Sequence, residues 1–432
     1  MEENKKVFNL VYDDWEENQE QPRANCESVY GYQKIWDADN LIKHYVDDTL
    51  NPDSFIYKKN RIREVYEKPN ENFYYFINHR NFFIEQLLGD LKPDYIKNPL
   101  SESVVKCLTE CKNFKIVFMT EHEPDNINGF RMLMNYIKEN NYDETQFYVI
   151  NNNSNLNEFK EKFNSKINVH SLHFIPHSST KVLYKVGGCP FKPNKEGKFS
   201  MYFNKSPRQQ RWGLLVLLKH YGILNEMNWS FVPTWNFKAD RTFFGELFTE
   251  SQRNLYAKEM DYFSNLDIRV SDYEVDRKWF KKFEEPDTSM LPVWMTIPEQ
   301  AENFENSYLN IITESIYFNR FGTIHITEKS FRPFYYYQFP IIMTSTHHIK
   351  KMKEKYDFDF FDDLINHSYD NEFDDVKRFY MIFKEIKRLH DNKEQVIEFY
   401  KNNQKRFENN KLKAINVLKT VEIDHEYFKN LI

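Results

Sequence analysis

Beginning near residue 73, short apolar runs alternate with amphipathic ones. FYYFI (73–77), KIVFM (115–119), QFYVI (146–150) and VHSLHFI (169–175) read as strands. RNFFIEQLLGDL (80–91), FRMLMNYIKEN (130–140) and LNEFKEKFN (156–164) read as the helices between them. Short strands separated by helices predict βαβ units and a parallel sheet. The first seventy residues are less regular and are expected to add a peripheral layer to that sheet.

A second alternating set follows residue 197. KFSMYF leads into RQQRWGLLVLLKHYG and WSFV. Later come LNIIT (309–313), TIHIT (323–327), a helix from Glu328, and FPIIM (339–343). The tail from Asn371 reads as helices rich in Lys, Glu and Phe. Between the two sets lies GGCPFKPNKEG (187–197), which holds three of the ten glycines and two prolines and is the best linker in the chain. The expected architecture is therefore α/β: a Rossmann-like domain over 1–190, a second over 191–432, and a helical C-terminal tail. Two such halves place a binding site in the cleft that they face.

Length supports two domains, since 432 residues exceed what one core normally organises. Composition, at 41% hydrophobic and 29% charged, is that of a soluble globular chain. No apolar run approaches the ~20 residues of a membrane helix. The opening MEENKKVFNLVYDDWEENQE lacks a signal-peptide core, so a cytoplasmic location is expected. A net charge of −6 weighs against a whole-surface nucleic-acid binder but leaves room for a local basic groove. Four scattered cysteines do not form a disulfide framework, and Cys107 and Cys111 read as packing.

The candidate chemistry sits at two strand-to-helix junctions. In KFSMYFNKSPRQQRWG a strand ends near Phe203, Ser206 can cap, and Pro207 suits the first helical position. Arg208 and Arg211 then fall three apart on one face. A helix start with guanidinium groups is a natural phosphate site. In TIHITEKSFRPF, Thr327 can cap and Glu328 and Lys329 follow. A carboxylate at a helix start is unremarkable, whereas a cation there is unfavourable unless an anion offsets it. A nucleotide would use both groups, ribose hydroxyls on Glu328 and phosphate oxygens on Lys329.

These residues carry a resemblance. TESIYFNRFGTIHITEKSFRPF followed by FPIIM resembles the donor-binding segment of α-1,3-fucosyltransferases, in which a Glu-Asn-Ser motif precedes Tyr-Val-Thr-Glu-Lys and an apolar strand. It is similar, more closely, to a group of uncharacterised bacterial and phage glycosyltransferases. Those carry Asn-Arg-x-Pro-Arg-x-His-Arg, then Val-Thr-Glu-Thr, then Thr-Glu-Lys-Thr-x-Lys-Pro. Here the matching positions are Asn204 through Arg211, Thr313-Glu314-Ser315, and Thr327-Glu328-Lys329-Ser330-Phe331-Arg332-Pro333. FDFFDDLINHSYD (358–370) matches the same group's Phe-Asp…Glu-Ser-Tyr-Asp segment. Lys205 and Gln210 depart from the pattern, and FENS (304–307) precedes the strand that Glu314 and Ser315 follow.

The resemblance implies a GT-B glycosyltransferase of two Rossmann-like domains, metal-independent and inverting. Its second domain would hold a nucleotide-sugar through Asn204, Arg208, Arg211, Glu314, Ser315, Thr327, Glu328, Lys329 and Arg332. No cofactor or metal is expected beyond the nucleotide-sugar co-substrate, because basic side chains would take up the charge of the departing nucleoside diphosphate. Asp357-Phe358-Asp359 is an Asp-x-Asp match read as structural. The general base should follow a strand of the first half. MTEHEPDNING offers Glu123, with Glu121 and His122 as competitors. The acceptor is left open among a glycan, a small molecule and a hydroxylated base of phage DNA. A non-catalytic binding protein on the same fold is the reading of another class. No dinucleotide-binding glycine motif, phosphate loop, His-Glu-x-x-His or nucleophile elbow is present. His347-His348 reads as bland, and HHIKKMKEK (347–355) as a solvated helix face.

Overall fold

In this computed structural model, the described residues are 6–12, 55–78, 100, 102–119, 126–173, 189–204, 208–231, 241–265, 303–417, 426, 427 and 430. They form two parallel sheets. The first has six strands: β1 (Lys6–Tyr12), β2 (Phe55–Arg61), β3 (Phe73–Asn78), β4 (Phe114–Met119), β5 (Phe147–Asn151) and β6 (Asn168–Ser171), in the order β2-β1-β3-β4-β5-β6. Of the first seventy residues, 6–12 and 55–61 are thus strands of the sheet itself and not a layer outside it. β1 pairs with β2 over seven residues and with β3 at Asn9 and Leu10. The predicted helix 80–91 lies outside the described residues.

Helices α1 (Glu102–Glu110), α2 (Ile127–Glu139) and α3 (Leu156–Lys162) connect the strands. Asn126 caps α2 by accepting from the backbone N–H of Gly129 at 2.9 Å. Phe73, Val104, Phe114, Ile116, Leu133, Phe147 and Val149 are buried together between sheet and helices. Cys107 belongs to this core, consistent with packing as its role.

The second sheet contains β7 (Ser200–Asn204), β8 (Met227–Phe231), β9 (Leu309–Thr313) and β10 (Phe339–Met343), all parallel, in the order β10-β9-β7-β8. Every residue of LNIIT and FPIIM is buried, as expected of a parallel sheet covered on both faces. α4 (Gln209–His220) joins β7 to β8, and its run Gln210–Leu218 is buried throughout. The C-terminal part is helical: α5 (His348–Tyr356), α6 (Asp375–Asp391), α7 (Lys393–Asn402) and α8 (Gln404–Asn416).

By contacts the chain divides into two units. One contains residues 1–177, 321–325 and 419–432; the other contains 178–320 and 326–418. The short 321–325 piece replaces an expected strand. TIHIT joins neither sheet and forms only an isolated bridge, His325 to Asn153. Its backbone bonds are made elsewhere. Ser154 N donates to Ile324 O at 2.9 Å, Ile324 N to the Asn153 side chain at 3.2 Å, and Asn155 Nδ2 to Gly322 O at 3.2 Å. Gly322 has φ +57°, a conformation that a side chain would strain.

Within 189–204, Gly197 is fixed by close approach. Its N–H donates to Asn306 O at 3.0 Å, and an added Cβ would lie 2.7 Å from that same oxygen.

Candidate functional site

The strand order of the second sheet singles out one place. From β7 the chain proceeds through α4 to β8; from β9 it proceeds through residues 314–338 to β10 on the other side. β7 and β9 are neighbours, so the order reverses between them. In open parallel sheets ligands bind beyond the carboxyl ends of the strands at such a reversal. Asn204 ends β7, Glu314 and Ser315 follow β9, and Arg208 and Arg211 open α4.

The two arginines reach the end of β9 in different ways. α4 starts at Gln209, with Arg208 itself as the extended N-cap, two residues later than the expected start at Pro207. Arg208 is exposed and its guanidinium donates to Ser315 O. Arg211 is buried one turn on and donates to Thr313 O at 3.4 Å. Burial pushes the Arg211 guanidinium down to about 10, and the positive charge of Arg208 adds to this. Both cations therefore flank the backbone of 313–315.

Glu314 is at the centre and fully buried. Its carboxylate accepts from the Thr327 hydroxyl at 2.7 Å, the Thr327 N–H at 3.3 Å and the Ser330 hydroxyl at 2.6 Å. Such multiple donation is what allows a buried carboxylate. Lys329 Nζ lies 2.9 Å from Glu328 Oε1, 3.1 Å from Thr327 Oγ1 and 3.9 Å from Glu314 Oε2. Arg332 Nη2 lies 3.7 Å from Glu328 Oε1, and burial pushes its guanidinium down to about 10.

The junction differs from the expected helix start. Residues Glu328–Phe331 form a 3-10 turn, capped by Thr327, and Arg332–Tyr335 add a single α turn with Pro333 near its start. So short a helix supplies little macrodipole, and the expectation that a dipole at Glu328 makes Lys329 unfavourable does not hold. Glu328 and Glu314 offset that ammonium directly. Across the whole group, four cations (Arg208, Arg211, Lys329, Arg332) face two carboxylates (Glu314, Glu328), an excess of positive charge.

Two residues outside the expected set complete the site. His348 is fully buried, with Nε2 2.9 Å from Ser330 Oγ and Nδ1 3.4 Å from Thr344 Oγ1. Ser330 lies inside the Thr-Glu-Lys-Ser motif and was legible there. His348 was not, because adjacent histidines on a helix point apart and nothing in the sequence says which one is inside.

The expected base residues Glu121, His122 and Glu123 lie outside the described residues, between the end of β4 and the cap of α2. The side chain of Asn204 does as well. Asp357 and Asp359 act as scaffold: Asp359 takes two donors from Arg406, at 2.6 and 3.0 Å, and Asp357 pairs with Lys413. In α5, Lys350 and Lys353 pair with Glu354 and Asp362, as a solvated face would. Glu305 of FENS pairs with Lys192, 3.1 Å away.

Among the described residues no helix is long and apolar enough to cross a membrane, and no group of three or more His, Cys, Asp or Glu is placed to hold a metal ion. No protein-family model, curated protein or solved structure matches the chain.

Proposed function

We propose that the chain is a glycosyltransferase of the GT-B type, moving a sugar from a nucleotide-sugar to an acceptor hydroxyl with inversion and without a metal. One observation carries this reading. Arg208, Arg211, Glu314 and Lys329 converge at the carboxyl ends of β7 and β9, where the order of the second sheet reverses.

In this reading the diphosphate is held by Arg208 and Lys329, the most exposed of the four cations. Arg211 supports them from beneath, through the backbone that it holds at Thr313. Glu328, which already meets Lys329 and Arg332, offers carboxylate oxygens to ribose hydroxyls. As the glycosidic bond to the diphosphate breaks, negative charge grows on the leaving oxygen. Fixed cations in a partly buried site stabilise that charge without reorganising. The excess of cations over carboxylates is the charge balance such a leaving group needs.

The acceptor proton requires a base. Glu123 is the proposed base, with Glu121 and His122 beside it, in the segment following the carboxyl end of β4. That end of a parallel strand is where catalytic side chains are carried in such sheets.

The test is calorimetric titration of the full chain with UDP, GDP, CDP and ADP. Lys329→Ala and Arg208→Ala should each weaken the nucleotide that binds by about tenfold or more, the loss typical of a hydrogen bond to a charged group. The melting temperature should hardly change. Undiminished affinity in both variants would refute the assignment.

A further inference from the structure

Hydrogen-bond direction around Glu314 can be worked out donor by donor. Thr327 Oγ1 is approached by two donors, the Lys329 N–H at 3.3 Å and the Lys329 ammonium at 3.1 Å. A hydroxyl has one proton, so with both lone pairs engaged Thr327 must give its proton to Glu314, at 2.7 Å. Ser330 likewise has one proton, and its shortest contact is Glu314 Oε1 at 2.6 Å. With that proton spent, Ser330 Oγ can only accept from His348 Nε2, 2.9 Å away. Nε2 therefore carries the hydrogen.

The other ring nitrogen faces Thr344 Oγ1 at 3.4 Å; that hydroxyl also lies 3.1 Å from Ile316 O. Two charged groups act on the ring, Glu314 from the end of β9 and Asp370 from the turn before α6. Both favour a protonated ring, but full burial outweighs them and holds the imidazole below its usual range. The ring is neutral, a proton donor on one side only.

We propose that His348 is a positioning residue for the nucleotide site, fixing the Glu314 carboxylate through Ser330 so that its second oxygen stays against Thr327 and Lys329. This rests on the nucleotide reading above, which names the ligand that the fixed carboxylate and ammonium serve. The chain of contacts runs from α5 through the 3-10 turn to the end of β9: His348 Nε2–H to Ser330, Ser330 to Glu314, Glu314 to Thr327, Thr327 to Lys329. Removing the imidazole frees Ser330 to rotate away. Glu314 then loses its shortest donor and turns towards Lys329. The ammonium would be drawn off the position that a phosphate oxygen needs.

Two measurements on the full chain test this. The first is the two-bond proton–nitrogen spectrum of the imidazoles between pH 5.5 and 8, with His348 assigned from its loss in His348→Gln. The proposal requires an Nε2–H tautomer that does not titrate near 6.5 and whose Nε2 resonance moves in Ser330→Ala. A ring protonated at Nδ1 alone, or one titrating at the ordinary value, overturns the relay. The second is affinity for the tightest nucleoside diphosphate of the four. Ser330→Ala and His348→Phe should each weaken it about tenfold, the scale of a buried carboxylate losing a donor. His348→Gln, whose amide can still donate, should recover most of that loss. Wild-type affinity in Ser330→Ala overturns the positioning role even if His348→Phe fails to fold. Should the wild type bind none of the four nucleotides, the nucleotide reading falls, and the tautomer alone then decides whether the relay exists.

Discussion

Thr327 and Glu314, thirteen residues apart, are joined by a hydroxyl–carboxylate contact of 2.7 Å inside the protein. Glu314 has no exposed surface, and Thr327 is 2% exposed. The contact ties the end of β9 to the turn that leads towards β10, and it is the means by which a buried anion is kept beside Lys329.

Thr327→Val preserves shape and removes the hydroxyl. It should lower stability by about 1–3 kcal/mol, the cost of leaving a buried acceptor short of a donor. Thr327→Ser should stay close to the wild type. Urea-unfolding midpoints decide this, and a Val variant as stable as the Ser variant would contradict the assigned hydrogen bond.

Asp359 separates the site from its Asp-x-Asp lookalike. Both of its oxygens receive N–H groups from Arg406, which also holds Asp363 at 2.7 Å. Arg406 keeps the Asp363 carboxyl below its ordinary range. Asp359→Ala should cost about 0.5–1 kcal/mol, as a partly exposed ion pair does. Nucleotide affinity should be the same as the wild type, with or without added Mn2+. A metal-dependent affinity that this substitution abolished would overturn the structural reading of Asp359.

Two buried bases give stability a pH dependence of one sign. Burial lowers His390 to about 4 and Lys195 to about 7, from ordinary values of 6.5 and 10.5. Between the folded and unfolded values the unfolded chain binds more protons, so stability rises with pH across both windows. His390 contributes stability above 6.5 that is lost as pH falls towards 4. Lys195 adds stability as pH climbs from 7 towards 10.5. Each slope is limited to about 1.4 kcal/mol per pH unit. His390→Gln should flatten the acid arm and Lys195→Met the alkaline arm in unfolding measured from pH 4 to 10. An unchanged acid arm in His390→Gln would show that the ring titrates alike in the folded and unfolded chain.

Gly197→Ala pushes a methyl group against the Asn306 carbonyl, which is backbone and cannot rotate aside. The cost should be about 1–3 kcal/mol, read as a lower urea midpoint. At Gly213 the nearest atoms to the same added methyl are side-chain ones, of Leu247, Phe379 and Phe248 at 3.2 to 3.3 Å, and the substitution should cost less.

The strands KIVFM, QFYVI, LNIIT and FPIIM were legible because each is a short apolar run bounded by polar residues, a local property. The Thr-Glu-Lys-Ser junction was legible for the same reason. TIHIT shows the limit. It has the composition of a strand, but its backbone groups bond to residues 153–155, far away in the chain, and not to a neighbouring strand. The N-terminal strands were missed for the converse reason. Their periodicity is weak, and the sheet order alone gives β1 its place between β2 and β3.

By itself the sequence determined the α/β class, the parallel sheets, the helical C-terminal region and the polar groups available at two junctions, because all follow from periodicity and residue type along a single chain. Only the tertiary structure decided that those junctions meet beside β9, that Glu314 is buried among hydroxyl donors, and that His348 points inward. Those facts depend on strand order and on which face is covered. Both are set by contacts between residues far apart in the chain, and local pattern carries no record of them.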